Sequence, residues 1–297
     1  MTDVSVIIVN WNTPVYLKAC LESLYAEPLP KVTYDVWVVD NASSDDSVAM
    51  VKRDFPQVNL IENTENAGFS KANNLAIKAS TGRYVFLLNS DAAVHPGALD
   101  KLIEYADSDK QAGVMGPKVL NPDGSLQYSC RSFPNLWARF FRNTKLGKLF
   151  PNNRHLKTYM LSDLDHSKVS VVGWLSGCAM LIRRSLIDKV GPMDEAFFMY
   201  CEDVDMCKRS WDAGCTVMYV PMATVTHAIG KSSDKSYERA TALLCDSWRI
   251  YYIKHFGNRG ALRILAVTFG LWAYKTYRIR KRRMMAKRQQ NENVRNS

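Results

Sequence analysis

VSVIIVN, residues Val4–Asn10, is an almost unbroken β-branched run that closes on an amide. Such a run fits a strand buried on both faces, as in a parallel sheet covered by helices. The chain then repeats the theme. Pro14 opens YLKACLESLYA, where Leu17, Cys20, Leu21 and Leu24 fall at helical spacing. YDVWVVDNAS (Tyr34–Ser43) predicts a second strand ending in an acid and an amide, and SSDDSVAMVKRDF a capped helix. VNLIEN and FSKANNLAIKAS form a third pair, closed by Thr81-Gly82. RYVFLLNSDA is a fourth strand ending in Asp91, and Pro96 opens a fourth helix through Tyr105. This rhythm predicts an α/β protein with a mostly parallel central sheet and helices on both faces.

Ligands of such sheets collect at the carboxyl ends of the strands. Asn10, Asp40, Asn41, Asn89, Ser90 and Asp91 therefore share one rim. Each alone also fits an ordinary polar turn, the Asx turn suiting Asn41 better than Asp40. Their recurrence on three strands is what a nucleotide site needs. The first strand is followed by WNTPVYL, without a glycine to receive a pyrophosphate, which argues against an NAD-dependent oxidoreductase.

Further along, GVMGPKVLNPDGSLQYS predicts strand, turn and strand. Residues 131–168 are basic and aromatic, with Trp137, Phe140 and Phe141, and read as a mobile or substrate-facing insertion. VSVVGWLSGCAMLIRRSLIDKVG predicts strand, small-residue turn, strand and helix. A strand TVMYVP follows later, then TVTHAIGKSS carrying His227. Between them lies FMYCEDVDMCKRSWDAG (Phe198–Gly214), which sets Glu202, Asp203 and Asp205 beside Phe197, Phe198, Met199 and Tyr200. Acids ahead of Lys208 and Arg209 complement a helix dipole, so capping accounts for them as well as chemistry does. The two readings are compatible, because a helix N-terminus favours an ionised carboxylate and keeps Asp203 able to accept a proton. Asp205 is read as the cap.

The 297 residues suffice for one large or two modest domains, and 47% hydrophobic with 23% charged residues is a globular composition. The seven cysteines form no CxxC pair and fit reduced thiols in a cytosolic protein. MTDVSVIIVNWN has no basic n-region or small-residue cleavage site and reads as a strand, not a signal peptide. The net charge of +10 is local: residues 275–297 hold nine Lys/Arg and one Glu, leaving only +2 for the rest. A body that gripped nucleic acid would spread its cations over the fold, so no nucleic-acid partner is expected. From about Thr241 the chain becomes helical and aromatic, ending in a basic cluster. Its longest uncharged run, Ile264–Tyr274, is shorter than the roughly 20 apolar residues of a membrane span. An interfacial helix with Trp272, Tyr274 and Tyr277 at headgroup level and cations meeting anionic lipid is one reading. A core-packing helix with a solvated tail is the other.

VSVIIVNWN, VVDNASSDDS, NAGFSKANN, LLNSDA, WLSGCAMLIRR, FFMYCEDVDMCKR and TVTH together resemble, in order, the family 2 glycosyltransferases of GT-A (Rossmann-like) fold, in particular bacterial rhamnosyltransferase-like enzymes of cell-surface polysaccharides. The resemblance runs from Val4 to His227. It implies a catalytic domain over residues 1–240, and the residues themselves suggest a C-terminal helical, basic membrane-association segment over 241–297. It implies an inverting transfer of a sugar, rhamnose (from dTDP-rhamnose) or another deoxyhexose, from a nucleoside diphosphate to a hydroxyl of a glycan or polyprenyl-linked saccharide. The alternative is an inactive module of the same fold that binds glycans or nucleotide sugars. By resemblance Asp203 is the base and Glu202 its support. Asp40 meets the nucleobase, with Asn10, Asn41, Asn66, Gly68, Asn73, Asn89, Ser90 and Asp91 around the donor. Trp174, Ser176 and Gly177 form the acceptor floor. Asp91 and His227 hold a divalent cation, Mg²⁺ or Mn²⁺. Two positions depart from the pattern: Asn89 stands where the DxD motif has its first acid, and Asn73 where many relatives carry Arg. The expected location is cytoplasmic, peripheral at the inner face of the cell membrane. An oligomer is compatible with the sequence.

Overall fold

The computed structural model describes residues 2–26, 30–135, 138, 141–142, 147, 149–150, 153–228, 237–257 and 260–295. Trp137, Phe140 and the GKSS end of the stretch after His227 lie outside them. In chain order the elements are β1 (Val4–Asn10), α1 (Pro14–Leu24), β2 (Tyr34–Asp40), α2 (Ser47–Asp54), β3 (Asn59–Glu62), α3 (Phe69–Ala79), β4 (Tyr84–Asn89), β5 (Ala92–Val94) and α4 (Ala98–Ser108). They continue with β6 (Ala112–Leu120), β7 (Leu126–Gln127), β8 (Cys130–Arg131), α5 (Arg154–Met160), β9 (Ser170–Val171), β10 (Trp174–Leu175), β11 (Ala179–Arg183) and α6 (Arg184–Val190). Last come α7 (Glu202–Asp212), β12 (Thr216–His227), α8 (Tyr237–Phe256) and α9 (Ala261–Arg295).

The main sheet runs β3-β2-β1-β4-β11-β6-β12-β5, with β7 added on β6 and β9 on β12. β3, β2, β1, β4, β6 and β12 all point one way, and β11 lies antiparallel between β4 and β6. The β-branched run of β1 is explained by two cores. Val4, Val6 and Ile8 face one, shared with α1, α2 and α4, while Ile7 faces the other, shared with α3, α6 and α7. Burial on both faces is what removes the usual polar alternation from such a strand.

Three local details differ from the sequence reading. The last strand is one element from Thr216 to His227, where two pieces were expected, because a register shift between Val220 and Thr224 absorbs Pro221. The segment after Asp91 forms the short strand β5 against β12. The fourth helix begins at Ala98, not Pro96, since Ala98 N–H closes a turn on His95 carbonyl and Gly97 takes a left-handed φ of 74°.

The chain divides into two compact units, residues Met1–Phe198 with Glu202–Ser232, and Met199–Cys201 with Ser233–Ser297. In the second, α8 packs on α9, and Ser247 Oγ donates to Met199 carbonyl at 2.7 Å. Tyr274 does not share the outward side of α9 with Trp272 and Tyr277: it is only partly exposed and its hydroxyl accepts from Arg278 Nη1 at 2.9 Å.

Candidate active site

β1 and β2 pair in register to their last residues, Asn10 against Asp40, so their polar ends meet. Asn10 Nδ2 donates to Asp40 Oδ1 at 3.0 Å and to Ser43 Oγ at 3.2 Å. Asp40 Oδ2 accepts from Ser43 N–H at 2.8 Å, so the turn-forming carboxylate is Asp40, and the turn expected at Asn41 is made one residue earlier. Asn41 instead knits the neighbouring loop. Its Nδ2 donates to Asn66 Oδ1 and Gly68 carbonyl, while its Oδ1 accepts from Asn63 Nδ2 and Ala67 N–H. A carboxamide has two donors and one twofold acceptor, so buried Asn41 is saturated by the protein itself. Thr13 Oγ1 donates to Asn10 Oδ1 at 2.7 Å and thus accepts from Ser90 Oγ at 3.0 Å, joining the end of β4 to the same network.

Gly68 is tight against the protein itself. At its φ of 84°, an added Cβ would lie 2.6 Å from Phe198 carbonyl, which also accepts from Phe69 N–H at 2.7 Å. The NAGF loop is thereby seated against the residue that begins the FMYCED stretch. Asn73 turns inward: its Nδ2 donates to Phe69 carbonyl, and its buried Oδ1 has no partner.

At the end of β4, Asn89, Asp91 and His227 converge across 138 residues of sequence separation. His227 Nε2 stands 3.1 Å from Asp91 Oδ1 and 3.3 Å from Asn89 Nδ2. Gln127, which the sequence reading missed, decides the tautomer. Its Nε2 is committed to His227 carbonyl and Asn121 Oδ1, so the atom 2.8 Å from His227 Nδ1 is its oxygen. A carboxamide oxygen only accepts, so Nδ1 carries a proton, and the neutral ring then presents the Nε2 lone pair to Asp91. Two facing lone-pair donors, an imidazole nitrogen and a carboxylate oxygen, fit a divalent cation such as Mn²⁺ or Mg²⁺. With Asn89 in place of an acid, the described residues contain no cluster of three or more His, Cys, Asp or Glu suited to a metal. The protein would supply two ligands there, leaving the other positions to phosphate and water.

The third group is the start of α7. Asp203 Oδ2 accepts from Gly177 N–H at 3.0 Å and Oδ1 from Val204 N–H at 2.8 Å. Gly177 was expected in the acceptor floor; an added Cβ there would lie 3.3 Å from Asp203 Cβ. The adjoining Cys178 carbonyl accepts from Asn89 N–H at 2.9 Å. Buried Glu202 keeps Oε2 without a partner. Burial raises the pKa of Asp203, and the N–H groups at the start of α7 and at Gly177 act against it. Burial, with Asp203's charge beside it, raises the pKa of Glu202 well above its ordinary value. Just before them Tyr200 and Cys201 hold φ of 72° and 66°, a strained approach for non-glycine residues. Asp205 is not a cap: it is fully buried and pairs with Arg209 Nε at 2.8 Å, and Arg209 holds the carbonyls of Val190, Gly191 and Pro192.

Trp174, expected in the acceptor floor, is partly buried against the second core, its indole N–H donating to Ser132 carbonyl at 3.0 Å. Ser176 N–H donates to Ser129 carbonyl at 2.7 Å. Thr13, Ser43 and Asn63 were the other missed contributors. NWNT and NAS carried the signal for the first two, as polar residues directly following strand ends.

Residues 5–191 match the family described as Glycosyl transferase family 2. N-acetylglucosaminyl-diphospho-decaprenol L-rhamnosyltransferase of Mycobacterium tuberculosis is 35% identical over 240 residues, 76% of this chain and 76% of that protein. Rhamnosyltransferase WbbL of Escherichia coli K12 is 30% identical over 232 residues, 75% of this chain and 83% of that one. Among solved structures, mannosyltransferase PcManGT from Pyrobaculum calidifontis, in complex with GDP-Man and Mn²⁺, aligns with a TM-score of 0.58 at 19% identity, over 93% of this chain and 72% of that one. GalNAc-T7 with UDP, GalNAc and Mn²⁺ aligns at 0.57 and 16% identity, over 77% and 44%. These two share the fold. The chain belongs to glycosyltransferase family 2, as a rhamnosyltransferase-like glycosyltransferase of GT-A fold.

Proposed function

We propose that the chain transfers rhamnose or another deoxyhexose, with inversion, from a nucleoside diphosphate to a hydroxyl of a polyprenyl-linked saccharide during cell-surface polysaccharide synthesis. The observation that carries this is the Gly177–Cys178 turn. Its N–H holds Asp203 and its carbonyl holds Asn89, so one dipeptide ties the proton acceptor to the Asp91–His227 pair. Asp203 removes the proton of the acceptor hydroxyl, whose oxygen attacks the anomeric carbon as the bond to the diphosphate breaks. A base whose pKa burial raises above its ordinary value holds the accepted proton more readily. Asp91 and His227 would hold the divalent cation, which neutralises charge on the departing diphosphate when bound. Asn10, Asp40, Ser90 and the Asn41–Asn66 loop shape the donor side, with Asp40 nearest the nucleobase in this reading. The names of both relatives support rhamnose as the sugar, and that of the Mycobacterium tuberculosis enzyme a polyprenyl-linked saccharide as the acceptor.

Peripheral attachment at the inner membrane face completes the reading. No helix among the described residues is long and apolar enough to cross a membrane. On α9, however, Leu262, Leu265, Phe269 and Trp272 are 60–83% exposed at helical spacing, and Arg280, Lys281, Arg282 and Arg283 follow, also exposed. An outward apolar stripe leading into cations suits an anionic interface.

The test is a transfer assay with the purified full chain, Mn²⁺, a panel of nucleoside-diphosphate sugars and a GlcNAc-diphospho-polyprenol acceptor. One donor should release its nucleoside diphosphate with formation of an inverted product. No turnover of any donor, with or without metal and acceptor, would overturn the reading and leave a binding module.

A further inference from the structure

Among the described residues Arg131 has no counter-ion. It is partly buried in β8, directly cross-strand from Trp174 of β10. Its Nη1 donates to the carbonyl of Cys130 at 2.9 Å, and its buried Nε has no partner. Among the described residues no carboxylate pairs with it. A second cation stands beside it: Arg142, exposed, donates from Nη1 to Tyr159 hydroxyl at 3.0 Å with its guanidinium 5.5 Å from that ring. Tyr159 is fully buried, and its carbonyl accepts from Ser132 N–H at 3.0 Å, which brings the two arginines to one place. Desolvation and the like charge of Arg142 both depress the pKa of Arg131. A buried guanidinium with an unused donor and a like-charged neighbour is costly unless an anion arrives.

We propose that Arg131 and Arg142 form an anion subsite on the acceptor side that binds the diphosphate linking the acceptor saccharide to its lipid. The identity of the anion rests on the transferase reading above. The placement fits: Arg131↔Trp174 and Cys130↔Leu175 are paired, and Ser176 N–H bonds Ser129 carbonyl, so Arg131 stands three residues along the ribbon from Gly177. That is roughly 10 Å at 3.3 Å per residue. Gly177 holds the base, so a saccharide hydroxyl at Asp203 would have its own diphosphate directed towards the two guanidiniums. Arginine's planar fork suits phosphate oxygens. The donor diphosphate belongs at the other end, by Asp91.

Two measurements on the full chain test this. In the first, inorganic pyrophosphate is titrated calorimetrically into wild type, Arg131→Gln, Arg131→Lys and Arg142→Gln, in EDTA. Arg131→Gln should weaken binding roughly 10- to 100-fold, the range for a charge-assisted hydrogen bond, with Arg131→Lys in between. Binding insensitive to both arginines, or absent from wild type, overturns the proposal. In the second, KM is compared for a diphospho-polyprenyl saccharide and for the neutral octyl glycoside of the same sugar. Arg131→Gln should raise KM only for the diphosphate acceptor, by a similar factor, leaving kcat and donor KM unchanged. Equal damage with both acceptors would show a structural role and also overturn it. Should wild type turn over neither acceptor, the transferase reading fails, while the pyrophosphate titration still decides whether the anion site exists.

Discussion

At the ends of β1 and β2, Asn10, Asp40 and Asn41 are engaged by one another, by side chains and by loop backbone. At the start of α7, by contrast, Glu202 has a buried carboxyl oxygen with no partner, and Asp203 is held by two N–H groups against the cost of its burial. Both regions use short polar side chains at element ends. The first satisfies them and so fixes loop shape. The second leaves them under-satisfied and so stores a shifted proton affinity. Satisfied polar networks rigidify, whereas perturbed carboxylates mark chemistry.

The largest expected effect breaks this contrast at its chemical end. Asp203→Asn should lower kcat about 10³-fold, about 4 kcal/mol of barrier, with donor affinity retained in a binding titration. A retained rate would remove Asp203 as base. In wild type the acid limb of kcat should lie above the ordinary carboxylate value of 3.8, because the proton must leave Asp203 before it can act. Next is Asp205→Ala. It leaves Arg209 without its carboxylate in a buried site and should cost about 3–5 kcal/mol in denaturant unfolding. A loss under 1 kcal/mol would restore the capping role assigned from sequence.

Asn41→Ala tests the satisfied region. It strands the Ala67 N–H and the Asn63 amide, at about 1–3 kcal/mol for a buried group left unpaired. Donor KM should rise with kcat little changed, and an intact KM would separate this network from the donor loop. The smallest effect belongs to Glu202→Gln. The folded protein holds the Glu202 proton to higher pH than the unfolded chain, so wild-type stability falls as pH rises from the ordinary value of 4.5 towards the folded pKa. Glutamine removes that slope, so the variant should gain stability relative to wild type between pH 5 and 7 in thermal melts. A parallel pH dependence in the two proteins would mean that Glu202 is ionised in the fold.

Much of the architecture was legible because its causes are local. β1, β2 and β4 announce themselves by apolar runs without alternation, and α1, α3 and α4 by their spacing. β12 was read in two pieces because a proline at a register shift looks, in sequence, like an end. At the site, the residue types on the rim were visible and their division of labour was not. Gln127 orients His227 only because β7 pairs with β6, and β6 with β12, which brings together residues 100 apart. Nothing in LQYS signals that. Asp205 sat in the same acidic triplet as Asp203 and looked equivalent to a cap, yet one is sealed by Arg209 and the other faces Gly177.

The sequence by itself determined the order of strands and helices, the polar rim at their carboxyl ends, the cations concentrated after residue 274, and the family through its ordered motifs. These follow from nearest-neighbour propensity and periodicity, which a linear string carries in full. Only the tertiary structure decided that Glu202 is buried with an unpaired oxygen beside Asp203, that Asn41 serves the loop, which nitrogen of His227 faces Asp91, and that no carboxylate among the described residues pairs with Arg131. Desolvation and hydrogen-bond satisfaction are properties of surroundings assembled from distant segments, and no local pattern encodes them.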